Sequence, residues 1–78
     1  MATVTDRRLE QRQELGDGWH TEWEPAELPQ EGRRGTAARI FNLDTDAGWS
    51  RMVRELNVIE KAEGSNIRWR SVTCERDY

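Results

Sequence analysis

The stretch from Asp44 to Thr73, DTDAGWSRMVRELNVIEKAEGSNIRWRSVT, decides the fold of this 78-residue chain. Asp44, Thr45 and Asp46 are helix-capping residues. From Ala47 onward, Trp49, Met52, Val53, Leu56 and Ile59 recur at the i, i+3, i+4, i+7 spacing of a helix with one apolar face. Arg51, Arg54, Glu55 and Lys61 fill the remaining surface, and Gly64 stands where a left-handed residue ends a helix. After Ser65-Asn66, Ile67, Trp69, Ser71 and Thr73 alternate with Arg68, Arg70, Val72 and Cys74. This is a period-two strand with Ile67 and Trp69 on its inner face.

Upstream of the helix, Thr36 to Leu43 reads as another strand, with Phe41 and Leu43 on one face beside Arg39, and Ile40 on the other beside Ala38 and Asn42. Pro25 to Gly35 is polar and Gly-bounded, and Pro25 and Pro29 deny backbone donors, so it reads as an eleven-residue loop. Before it, Trp19, Thr21 and Trp23 alternate with His20, Glu22 and Glu24 in a half-buried strand. In residues 1–17 the apolar positions beyond Met1 and Ala2 are Val4, Leu9 and Leu15, whose spacing fits neither one helical face nor a strand. That segment is expected to be a flexible or partner-ordered N-terminal arm, closed by Gly16-Asp17-Gly18. The expected fold is α+β, a small single-domain ββαβ unit over residues 18–78, with one three-stranded sheet and one amphipathic helix packed on it. Its strand-helix-strand portion implies a parallel, right-handed crossover. The expected core is Trp19, Trp23, Phe41, Leu43, Trp49, Met52, Val53, Leu56, Ile59, Ile67 and Trp69.

Composition narrows the chemistry. Twelve Lys and Arg against fifteen Asp and Glu leave a net charge of −3, which argues against coating nucleic acid by bulk charge. The single cysteine, Cys74, cannot close an intrachain disulfide, and no apolar run exceeds two residues, so a cytoplasmic protein with no membrane contact is expected. One His and one Cys make no zinc cluster, and the Gly-rich nucleotide loops and the Gly-x-Ser-x-Gly nucleophile motif are missing. His20 is the lone imidazole, with no nucleophile at a recognisable spacing. No catalytic residue, metal or cofactor is expected, and the chain reads as a non-enzyme.

What remains is surface. Residues 1–34 carry the whole net negative charge, and Glu22, Glu24, Glu27 and Glu31 succeed one another without a base, interleaved with Trp23 and Leu28. Trp and Arg are the residues most enriched at interface hot spots. Together these predict a stoichiometric protein-binding module, an adaptor or inhibitor of a larger protein or nucleoprotein complex, with contacts at Glu22, Trp23, Glu24, Glu27, Arg33, Arg34 and Trp49. One concrete version is a virus- or mobile-element-encoded antagonist of a host nucleic-acid enzyme or defence complex. An alternative is a nucleic-acid-binding regulator using Arg33 and Arg34 on the loop and Arg68 and Arg70 on the last strand, whose more ordinary use would be cross-strand pairing with Glu22 and Glu24. A third reading is a homodimeric structural component, suggested by Ile40, Val58 and Val72 on outer faces.

Overall fold

A computed structural model describes the backbone of residues 3–77 and the side chains of residues 6–74; Met1, Ala2 and Tyr78, which the two expected segments include, lie outside the described residues. The elements in order are β1 (Thr3–Gly16), β2 (Trp19–His20), β3 (Glu24–Ala26), α1 (Gly32–Arg39), α2 (Asp46–Ala62) and β4 (Ile67–Asp77). The chain is α+β, with four strands in an antiparallel sheet and two helices.

Helix α2 and strand β4 form where the periodicity places them. The Thr45 hydroxyl accepts the Gly48 N–H at 3.0 Å and caps the helix, and Gly64 ends the turn after it with φ +70°. Met52, Leu56 and Ile59 are buried along one stripe of α2. Asn57 holds the helix to the sheet through the backbone of Trp69: its Nδ2 donates to the Trp69 carbonyl at 3.0 Å, and the Trp69 N–H donates to its Oδ1 at 2.8 Å.

The first seventeen residues are the largest correction. They are not an arm: Thr3–Gly16 is the central strand, running antiparallel to β4 in unbroken register from Thr3↔Asp77 to Gln13↔Ile67. On its other side it pairs with β3 from Leu9↔Ala26 to Gln11↔Glu24, and with β2 at Glu14↔His20 and Gly16↔Trp19. Among its described side chains, Leu9 is the one apolar residue in the core, 3% exposed, packed with Ala38, Met52, Leu56 and Trp69. From Asp6 to Glu14 every residue of the strand except Leu9 is polar or charged. Long stems of Arg and Gln cover apolar surface while their heads stay wet, so the alternation is present in space but invisible to a hydrophobicity count.

The remaining differences follow from this strand. The sheet is antiparallel throughout, so the parallel crossover is absent. The expected first strand is reduced to Trp19–His20, with Glu24–Ala26 as a separate short strand inside the expected loop. The expected second strand is helix α1 followed by a turn. Ala37 and Ala38 favour helix and are small enough to be buried in it, and Gly35 lies so close to Gln30 that an added Cβ would stand 2.7 Å from its carbonyl carbon. Arg33 and Arg34 therefore sit on a helix, not on a flexible loop. In the core, Trp69 is buried and Phe41, Leu43, Trp49, Val53 and Ile67 pack partly buried against it. Trp19 is 73% exposed, and Trp23 is half-buried outside the cluster.

Gly48 tests how closely α2 meets the preceding turn, because a Cβ there would collide with the Asn42 carbonyl. We expect Gly48→Ala to destabilise the fold by about 1–3 kcal/mol, as overpacking does in a well-filled site, despite the better helix propensity of alanine. Thermal unfolding of the variant measures this.

Candidate functional site

The sheet face turned away from the helices is where the arginines of the strands meet. Glu10 lies opposite Arg70, and Arg12 opposite Arg68, across β1 and β4. Arg70 Nε donates to Glu10 Oε1 at 2.9 Å, and Arg12 pairs with Glu14 at 3.0 Å. The Arg12 and Arg70 guanidinium carbons lie 4.6 and 4.3 Å from the centroid of the Trp23 ring, so the indole is held over the sheet by two cation–π contacts. Arg68 turns back on the chain, donating to the Ser65 and Ile67 carbonyls at 3.1 and 2.7 Å. The expected pairing of Arg68 and Arg70 with Glu22 and Glu24 is thus replaced by contacts of Arg70 to Glu10 and Trp23 and of Arg68 to backbone carbonyls of its own segment. Trp23, expected as a partner contact, has its ring engaged internally.

Arg33 and Arg34 separate in role. Arg33 is exposed on α1, whereas Arg34 reaches under the helices to Glu60 and Glu63. Glu60 is fully buried and takes two hydrogen bonds from Arg34 and one from the Trp69 indole at 3.2 Å. Burial alone would raise the Glu60 carboxyl. The bonds from Arg34, Ser65 and Trp69 outweigh that and hold it below the usual carboxylate value, while the same pair raises Arg34. Trp49 is half-buried in the first turn of α2, with its indole N–H donated to the Leu43 carbonyl at 2.8 Å. Arg34 and Trp49 are therefore structural anchors.

What the fold leaves outside is the end of the β1–β2 hairpin and the connection after it. Asp17 and Gly18, the two central residues of the turn, both have positive φ, 53° and 84°, the pattern of a tight type I′ hairpin that carries Asp-Gly. Leu15 and Trp19 flank this turn at 58% and 73% exposure. Next in the chain, Glu22, Glu24, Glu27 and Glu31 are exposed, and none of their carboxylates has an ion-pair partner among the described residues. Of the expected contacts, Glu22, Glu24 and Glu27 thus stand on an open acidic edge. Trp19, missed as a surface residue because alternation with Trp23 suggested a shared inner face, is its apolar anchor. The Asp17-Gly18 dipeptide was the available signal for a protruding hairpin.

His20 is exposed beside its neighbour's carbonyl, with Nδ1 3.0 Å from the Thr21 oxygen. No group of three or more His, Cys, Asp or Glu that could hold a metal converges among the described residues, and no described helix is long and apolar enough to cross a membrane. The chain matches no family model, and the comparisons with curated proteins and with solved structures gave no match.

The Arg34–Glu60 pair makes a signed prediction. A carboxyl held below its ordinary value near 4.5 contributes stability above that pH, which is lost as pH falls through the folded value. Arg34→Met removes the strongest bonds and leaves burial to raise the carboxyl. The variant is expected to lose about 3 kcal/mol at neutral pH, the lower end for a broken buried pair because Arg34 is one-third exposed. It should then gain stability as the pH is lowered toward 4.5, opposite in sign to the parent. Urea unfolding between pH 4.5 and 7 reads both.

Proposed function

We propose that this chain is a non-catalytic protein-binding module that acts stoichiometrically, as an adaptor or inhibitor, by seating the β1–β2 hairpin tip on a basic partner surface with an apolar pocket. The observation that carries the reading is Trp19, an indole 73% exposed on a turn whose backbone leaves little freedom, followed by four unpaired carboxylates. Exposed tryptophan is costly to leave in water and is among the residues most enriched at interface hot spots. The run Glu22, Glu24, Glu27 and Glu31 supplies a field that steers a cationic partner and rejects acidic ones. A larger complex that handles nucleic acid presents such cationic surfaces, and an acidic tip would occupy one without chemistry of its own.

The nucleic-acid alternative has less behind it. Of its four arginines, Arg34 is taken by Glu60 and Glu63, Arg70 by Glu10 and Trp23, and Arg68 by two carbonyls; Arg33 alone is exposed on α1 without an ion pair among the described residues. An electrophoretic shift titrated across salt is expected to show no salt-dependent complex with single- or double-stranded DNA or RNA.

Trp19→Ala and the double variant Glu22→Lys, Glu24→Lys separate the apolar and electrostatic parts. Both alter exposed positions, so their melting temperatures should stay close to that of the parent. Immobilised parent and variants are compared for the proteins they retain, in stoichiometric amount, from extracts of the source cell. Loss of a hot-spot indole corresponds to roughly thirtyfold weaker retention, and charge reversal should weaken it further as salt is lowered. Retention that is the same for parent and both variants would eliminate the tip as the docking site.

A further inference from the structure

The chain that runs along the free side of β1 changes register twice. At the turn Gly16 pairs with Trp19, and next to it Glu14 pairs with His20, so Leu15 of β1 has no counterpart. Farther along, Thr21 meets Gln13 and Glu24 pairs with Gln11, so Glu22 and Trp23 together stand against Arg12. Each is a β-bulge, one with its extra residue on β1 and the other with it on the opposite chain. The two shifts cancel. Gly16↔Trp19 and Gln11↔Glu24 belong to one register, and the pairing between them, at His20 and Thr21, is displaced from it by a single residue. A slip that removes both bulges is therefore local and leaves the turn and β3 where they are.

A displacement of one residue exchanges the faces of a strand. Gln13 lies opposite Ile67, which packs on the core, so Thr21 beside Gln13, and Trp19 two residues before it, fall on the helix side of the sheet. Trp23 lies on the other side, against Arg12 and Arg70. Without the bulges, Trp19, Thr21 and Trp23 would all fall on the face that Trp23 occupies, and the tip would lay its indole toward a ring already clamped. Thr21 holds the displaced register. Its N–H donates to the Gln13 carbonyl and its hydroxyl accepts the Gln13 N–H, both at 2.9 Å. It thus supplies the two groups that the backbone of Glu22 would supply in an unbulged strand. We infer that residues 20 and 21 have two registers and that the Thr21 hydroxyl is the positioning group that selects the bulged one, in which Trp19 stands clear of Trp23. The consequence for docking rests on the proposed role of the hairpin tip; the register does not.

Cross-strand nuclear Overhauser contacts of the full chain read the register. In the parent, the backbone of Thr21 is expected opposite Gln13 and that of His20 opposite Glu14. Thr21→Val keeps the shape of the side chain and removes the hydroxyl. It should bring Glu22 opposite Gln13, position 21 opposite Glu14, and the Trp19 ring toward the Trp23 ring, with the β1–β4 ladder unchanged. Thr21→Ser keeps the hydroxyl and should keep the parent contacts. Parent contacts retained in Thr21→Val, or lost in Thr21→Ser, overturn the proposal. So does the loss of every cross-strand contact at residues 19–21 in Thr21→Val, since the segment would then have no second register. Docking is measured separately: with the register moved, retention by immobilised Thr21→Val should fall as far as that by Trp19→Ala, roughly thirtyfold. Full retention beside a moved register would overturn Trp19 as the docking anchor while the two registers stand.

Discussion

The pairing of β1 with β4, from Thr3↔Asp77 to Gln13↔Ile67, is the constraint that the rest of the structure inherits. It joins the two ends of the described chain in one ladder, so β2, β3 and both helices must be accommodated within the connection between the two strands. Because β4 starts opposite Gln13 while β1 continues to Gly16, the last residues of β1 have no β4 partner, and the Glu14 N–H donates instead to the Asn66 carbonyl at 2.8 Å before the chain turns. The hairpin is thereby carried past the two-layer body. The exposure of Leu15 and Trp19 is a consequence of strand length, not of a local failure to bury them.

How much of this was legible depended on whether a segment's structure is decided locally. Helix α2 carries its own apolar stripe, cap and terminator, and β4 its own alternation, so both appear in the order of residues. The stretch Thr3–Gly16 does not: among its described side chains Leu9 is the single buried apolar one, and Arg7, Gln11 and Gln13 occupy the helix-facing positions where a readable strand would carry Val or Ile. It is a strand because two neighbours supply its hydrogen bonds. The same dependence misled the reading of Thr36–Leu43, where Ile40 and Phe41 resemble a strand but the buried alanines before them form one side of a helix packed on α2. For the candidate site, the acidic edge at Glu22, Glu24 and Glu27 was visible as charge. Trp19 and Trp23, two residues on either side of Thr21, gave no hint that one would be clamped between arginines and the other left in water.

Those arginines serve the sheet itself. A polar central strand needs its long side chains fixed if the sheet is to hold one register, since slippage by one residue exchanges the faces. Glu10–Arg70, Arg12–Glu14 and the two contacts to Trp23 act at the hairpin end of the ladder, and Arg7 donates to Asp46 at the start of α2, 2.6 Å away, on the helix side. Each is worth little alone in water. Their value is in rejecting the shifted pairings, because a one-residue slip of β1 would part Glu10 from Arg70 and turn it toward the helices.

Glu60 applies the same logic to the helical layer. A domain of this size has a small core, and Ala37 and Ala38 contribute little area to hold α1 in place. A carboxylate fully removed from water can be tolerated only where Arg34 arrives from α1, the Trp69 indole from β4 and a hydroxyl from the Ser65 turn, so one buried charge requires three elements to be correctly placed at once. A leucine there would tolerate many arrangements of α1. The ionic centre tolerates one, and it sets the position of the turn from which β4 emerges.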